Sequence, residues 1–505
     1  MTNQESTGAQ TDGAQAGGAQ TGAVRYETVD RSYFEKRGLK RYAGVASLWA
    51  LGVGAVISGD FSGWNFGLGA GGFGGLFYAT IIIMIMYLGL TFSLAEMSPA
   101  MPHTGGAYSF ARSAMGPWAG FITGLTENVE YILTPAVIVF FISTYMGSIF
   151  ETPAAAMPLW WAGFYLLFVG LNIVGVEMSF RISVLVTVLA LAVLAIYWIS
   201  AIPHFDMALA LNIPPAEGHS AWLPFGVEGI LKAMPFAVWF FLAIEQLPLA
   251  AEESHDPKRD MPKGILLGIF TLILTAFLTL FLVAGVGGGS ATMGSSGEPI
   301  LDGFRAFYGE GLAKLLALAA VIGLVASFHT IIFAFGRQIY SLSRAGYFPR
   351  GLSVTHGTRK TPHLALIAGA VVGFAVMIVI WLTTDTSVAT TVIGTTLLNM
   401  AVFGAMLSYL LQAISFIVLR VRLPHIERPY RSPLGIPGAV LTAGIAIVTL
   451  GFQMQDAAYR QAVLPVAVWI LIGLAYFLIW GRHKLVLSPE EKFALERGKA
   501  AYESH

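Results

Sequence analysis

Gly52-Val-Gly-Ala-Val-Ile-Ser-Gly-Asp-Phe-Ser-Gly63 and Trp239-Phe-Phe-Leu-Ala-Ile-Glu-Gln-Leu-Pro248 are apolar stretches that make poor helices at their centres. The first carries glycines at 52, 54, 59 and 63 around Ser58 and Asp60. Each interior glycine costs a helix up to about 1 kcal/mol relative to alanine. The second sets Glu245 just ahead of Pro248, which removes a backbone donor. Unwound backbone at membrane depth is tolerated only where protein or a watery cavity receives its polar groups. Packing glycines or a simple kink explain either break alone. Two breaks in corresponding spans, each with a carboxylate, point instead to inverted repeats with a site at their interface.

Composition places both stretches in a membrane. Of 505 residues 56% are hydrophobic and 11% charged, with a mean hydropathy of +0.70. A soluble domain carries about 25% charged residues, so lipid must cover much of this surface. A helical crossing needs roughly 20 apolar residues. On that basis spans are predicted near 44–68, 74–97, 113–148, 158–176, 180–201, 227–252, 263–287, 313–340, 363–382, 387–418, 435–453 and 461–481. The expected fold is all-α, integral to the membrane, with 12 transmembrane helices. With both ends on one side, only Lys232, Arg305, Lys314 and Arg460 of the 29 Lys and Arg fall on the other. Basic residues mark the cytoplasmic side, so both termini are expected there, in a multi-pass protein of the plasma or inner membrane.

Three parts are predicted along the chain. Residues 1–37 form a cytoplasmic tail whose Gly-Ala-Gln repeats cannot bury enough apolar surface to order. Residues 38–482 form the membrane domain, and 483–505 a second cytoplasmic tail. In that tail Pro489-Glu-Glu-Lys-Phe-Ala-Leu-Glu-Arg-Gly-Lys499 reads as a short solvated helix. The absence of cysteine excludes disulfides, thiolate metal sites and thiol nucleophiles. Neither a Gly-x-x-x-x-Gly-Lys-(Ser/Thr) phosphate loop nor a metal-ligand spacing occurs, so no cofactor, metal or nucleic-acid partner is expected.

Ionisable side chains at membrane depth cost about 2.5–3.5 kcal/mol and usually mark function. Glu127 and Glu130 lie in the third span beside Asn128 and Tyr131. Glu127 and Tyr131, four apart, share a helix face, as do Asn128 and Tyr131, three apart. One glutamate is expected to face a cavity, with Asn128 or Tyr131 ready for a substrate hydroxyl; a glutamate paired within the bundle is the plainer alternative. His329 in the eighth span reads as a cavity wall, a proton path or a packing histidine. Trp64, Phe241 and Tyr131 could each offer a ring face to an ammonium at about 0.5–2 kcal/mol.

Longer motifs add a resemblance covering roughly residues 38–480. The first break is similar to the Gly-x-Gly-x-Ile-(Gly)-x-Gly-Ile-Phe segment of the amino acid–polyamine–organocation superfamily of secondary transporters. Phe241-Leu-Ala-Ile-Glu245 resembles its Phe-x-Gly-x-Glu segment, with Ala243 in place of glycine. Ala251-Glu-Glu-Ser-His-Asp-Pro-Lys-Arg-Asp-Met-Pro262 and Glu96-Met-Ser-Pro-Ala-Met-Pro-His-Thr-Gly-Gly-Ala-Tyr108 match its loops after the sixth and second spans. Within the superfamily, Ser-Gly-Asp-Phe and Thr-Glu-Asn-Val-Glu-Tyr look most like ethanolamine permeases. The resemblance implies a LeuT-like 5+5 inverted repeat plus two peripheral helices, working by alternating access. It puts substrate between the two breaks, near Ser58, Gly59 and Asp60, with Trp239 as an aromatic gate. It also matches Glu245 to a glutamate linked to proton transport in some members. The proton-linked lysine of the fifth span is missing, its place being near Ala190, so proton coupling, exchange and facilitated uptake all stay open.

Asp60 then bears on the substrate. In amino acid carriers of this fold, amides at the first break receive the substrate carboxylate, as helix N-termini favour anions. Here Asp60 stands where the family usually has glycine. Two like charges about 4 Å apart in an intermediate dielectric repel by about 4 kcal/mol, roughly a thousandfold in affinity. A small amine without a carboxylate is therefore expected, and ethanolamine is the one the resemblance names. Asp60 as a cap on local amides is the alternative, which would still occupy the carboxylate site. An amino acid permease is the second carrier reading. An intramembrane enzyme or a channel gives no reason for two matched breaks.

Overall fold

The computed structural model describes residues 20–21, 24–384 and 389–503. Among them, ten helices are long and apolar enough to cross a membrane. Labelled with the shorter helices in chain order, the elements begin with β1 (Val24–Glu27), α1 (Val45–Phe61), α2 (Phe66–Ala100), α3 (Gly106–Met115) and α4 (Pro117–Phe150). There follow α5 (Met157–Val174), α6 (Val176–Ala201), α7 (Gly226–Val238), α8 (Pro257–Ala284) and α9 (Pro299–Arg344). The chain continues through α10 (His363–Thr383), α11 (Ala389–Arg422), α12 (Gly435–Gln455), α13 (Ala457–Ile479), β2 (Leu485–Val486) and α14 (Pro489–Glu503).

The expected spans 44–68 and 227–252 are each broken partway across. Helix α1 stops at Phe61, and the chain turns through Ser62 to Asn65 before α2. Helix α7 stops at Val238, and a 3-10 segment, Ile244–Glu253, follows a turn. The long run at 113–148 divides at Gly116 (φ 97°), which separates α3 from α4. Helix α4 forms the centre of the bundle, packed on α9 and α11 and buried almost throughout. Leu166, Leu185, Ile199, Leu382 and Leu471 on α5, α6, α10 and α13 stay exposed, as lipid-facing side chains must.

Both tails differ from expectation. Residues 1–19 and 22–23 of the expected disordered tail lie outside the described residues, but 24–37 are built into the fold. Tyr26 and Glu27 of β1 pair in parallel with Leu485 and Val486 of β2. Arg37 is buried and donates to Ser353 and to the Arg350 carbonyl. Helix α14, expected to be solvated, buries Glu490 and Glu491. Its charge pattern suits a solvated helix, yet each carboxylate meets an arginine contributed from far upstream in the chain.

Candidate functional site

The two breaks meet at the middle of the molecule. A Cβ on Gly59 would lie 2.3 Å from the Trp239 carbonyl oxygen, so glycine is what lets the backbones touch. Gly63 takes φ 99°, a left-handed conformation, with its face against the Trp239 indole. Trp239 Nε1 donates to the Ser62 carbonyl at 3.0 Å, binding one break to the other. The expected departure at Ala243 falls where the backbone needs φ 82°, a conformation that glycine adopts freely and alanine does not.

Sequence reasoning missed Ser327 of α9, which repairs α1. Its hydroxyl donates to the Gly54 carbonyl at 2.7 Å and accepts from the Ser58 amide at 2.8 Å. It thus bridges the two groups that an unbroken helix would join directly. Ser58, Gly59 and Asp60 consequently sit in a helical turn, and the extended backbone falls later, beginning at Ser62. Tyr145 of α4 donates to the Phe61 carbonyl at 3.0 Å, and Asn65 donates to the carbonyls of Met293 and Ser296.

Asp60 is buried, with Thr275 and Thr279 of α8 as its polar neighbours. Its Oδ1 has no hydrogen-bond partner, and among the described residues no backbone amide donates to its carboxylate. Trp64 stacks on Phe240 with centroids 5.0 Å apart.

The other three carboxyls gather around Tyr131. Glu127 accepts from Tyr131 Oη at 3.0 Å and from Gln338 Nε2 at 2.6 Å. Glu130 accepts from Tyr409 Oη at 2.9 Å, and Tyr409 in turn accepts from Tyr87 at 3.1 Å. Glu245 lies against Glu130, Tyr409 and Tyr131, with neither of its oxygens in a well-formed hydrogen bond. Both glutamates of the third span therefore join the group. Phe241 closes one side, its ring 5.4 Å from that of Tyr87. Among the described residues no Lys, Arg or His forms an ion pair with any of the three carboxyls. Tyr87, Tyr409 and Gln338 went unremarked in the sequence, although each is a polar side chain in an apolar span.

Two expected residues lie elsewhere. Asn128 donates to the Gly124 carbonyl at 2.8 Å and lines a separate lateral cavity of about 700 Å³ between α4, α10, α11 and α13. On a helix, a neighbour one position from Glu127 is turned well away from it. His329 is held by Asn172 and Ser179, 3.1 and 3.2 Å from its ring nitrogens, as a packing residue between α5, α6 and α9.

Comparisons with known proteins follow the fold. The structure aligns with a manganese transporter of Eremococcus coleocola at a TM-score of 0.53 and 12% identity, covering 94% of this chain and 98% of that one. An uncharacterised transporter of Rhizobium meliloti is 27% identical over 85% of this chain and 91% of its own length. The branched-chain amino acid permease of Bacillus subtilis is 24% identical over 88% and 94%. A D-serine/D-alanine/glycine transporter of Escherichia coli is 23% identical over 73% and 79%. The family described as amino acid permease matches residues 44–475. By that match the chain is a multi-pass membrane transporter and belongs to the amino acid permease family.

Proposed function

We propose that this permease imports ethanolamine or a similar small amine lacking a carboxylate, by alternating access. One observation carries the reading: Glu127, Glu130 and Glu245 are buried together with no basic partner among the described residues. Buried charge is costly unless paired, and an ammonium supplies the missing charge. Tyr131, Tyr87 and Tyr409 surround the carboxyls with rings and hydroxyls suited to a cation and a substrate hydroxyl. Asp60, unbonded at Oδ1 near the first break, opposes a substrate carboxylate there.

Helix α1 with α2's first turns, and α7 with its 3-10 continuation, make two broken crossings that bring the total to twelve, in two inverted repeats plus two peripheral helices. Both termini are cytoplasmic, at the plasma or inner membrane. Glu130 and Glu245, set carboxyl to carboxyl, can bond each other only through a proton, which favours a proton-coupled cycle.

An amino acid permease is the second reading. It is favoured by the names of the relatives that carry branched-chain or small amino acids. Uptake of labelled ethanolamine into proteoliposomes separates the two. Ethanolamine should be taken up, with excess unlabelled alanine or valine competing poorly, and an imposed proton gradient should change the rate. Alanine competing as well as ethanolamine would sink the amine reading, and indifference to the gradient would remove proton coupling.

A further inference from the structure

Helix α14 packs against the ends of elements that an alternating-access cycle must separate. Glu490 accepts from Arg344 at 2.5 Å and from Ser341 at 3.0 Å, both near the end of α9. The same Arg344 pairs at 2.5 Å with Glu252, at the end of the 3-10 segment after the second break. Glu252 also accepts from the Thr104 amide in the connection between α2 and α3. One guanidinium on α9 thus binds both α14 and the 3-10 continuation of the second broken crossing. Glu491 makes a second anchor, accepting from Arg112 of α3 at 2.7 Å, Tyr26 of β1 at 2.6 Å and Tyr347 at 2.9 Å. Burial alone would lower the Arg112 pKa, but the Glu491 carboxylate more than reverses this, so the guanidinium stays charged. Both glutamates are essentially without exposure, which separates these pairs from surface ion pairs of little worth.

We propose that α14 is a latch that holds the cytoplasmic side of the permease closed, released when Glu490 lets go of the arginine it shares with Glu252. Opening that side requires the Ile244–Glu253 segment and the start of α1 to move away from α9. The α1 start is already joined to that segment through the Ala43 and Ser254 bridge. While α14 is docked, Arg344 is fixed from two sides and cannot follow either. Undocking removes one of the two ties on Arg344. Its pair with Glu252 and the 2.9 Å pair of Glu253 with Arg337 are then the ion pairs left to hold the segment to α9 as it swings with α1. The proposal rests on alternating access, but its test needs no substrate.

Ser254 is fully buried at the junction of α1 and the 3-10 segment, and its hydroxyl has no partner. Because the chain has no native cysteine, Ser254→Cys creates a single thiol that reports opening. Its rate of modification by a maleimide is measured in the purified full chain, in Glu490→Gln, and in a chain ending at Leu487. Removing one partner of a buried charge pair is worth enough that labelling should accelerate by roughly tenfold or more in both variants. Glu496→Gln, exposed on the same helix, should leave the rate unchanged. Equal rates in the full chain and in a monodisperse Glu490→Gln protein would overturn the latch, as would equal acceleration by Glu496→Gln. Glu490→Gln preserves the shape of the side chain and an oxygen for Ser341, so it reads the latch even if the shortened chain does not fold. Labelling that responds in a protein that carries no amine would leave the latch standing and overturn only the substrate reading.

Discussion

Asp60 has one carboxyl oxygen without a partner, and the hydroxyls of Thr275 and Thr279 are its polar company. Such support is too thin for a purely structural cap, which would use backbone amides. Asp60→Gly should therefore do two things at once. It should weaken amine uptake, and it should relieve a repulsion of about 4 kcal/mol against a zwitterion, so that alanine becomes a competitor. Competition assays on the variant check both, and unchanged amine affinity would reduce Asp60 to a structural role. Tyr131→Phe makes a finer probe, since it removes only the hydroxyl that donates to Glu127. Loss of one hydrogen bond to a charged or shared group is worth about 1.5–3 kcal/mol, so the half-saturating amine concentration should rise by roughly tenfold or more. Carboxylates in apolar spans were legible in the sequence because their cost is so plain. Their grouping was not: Glu127 meets Gln338, and Glu130 meets Tyr409, across more than two hundred residues.

At the scale of elements, the breaks were legible and their register was not. Glycine spacing and Pro248 locate weak helix, but the point where backbone leaves the helix depends on which distant side chains accept its polar groups. Ser327 satisfies Gly54 and Ser58, which keeps Ser58 to Phe61 helical and moves the extended backbone to Ser62. Ser327→Ala leaves a buried amide and a buried carbonyl unpaired, at about 1–3 kcal/mol each. Thermal unfolding of the purified variant in detergent should show the loss as a lower midpoint, and an unchanged midpoint would mean that water or local rearrangement replaces the hydroxyl. Gly59→Ala tests the contact between breaks directly. Its Cβ would sit 2.3 Å from the Trp239 carbonyl, which is backbone and cannot rotate aside. The two broken crossings must then part, and uptake should be lost while the protein still reaches the membrane.

For the whole molecule, hydropathy and the sorting of basic residues went far, because lipid imposes one simple rule on ten long helices. The tails escaped that rule. Their order comes from pairing of β1 with β2 and from buried arginine–glutamate contacts, none of which has a periodic signature. The sidedness implied by Lys and Arg is open to a direct check in a chain without native cysteine. Ser32→Cys lies near the start of the chain, and Ser220→Cys in the exposed loop ahead of α7. If basic residues set the orientation, a membrane-impermeant maleimide should modify Ser220→Cys in intact cells and reach Ser32→Cys only after permeabilisation. The loop ahead of α7 holds neither Lys nor Arg, whereas Lys36, Arg37, Lys40 and Arg41 crowd the approach to α1. The reverse labelling pattern would invert the molecule, place α14 outside, and turn the latch to face the opposite side of the membrane.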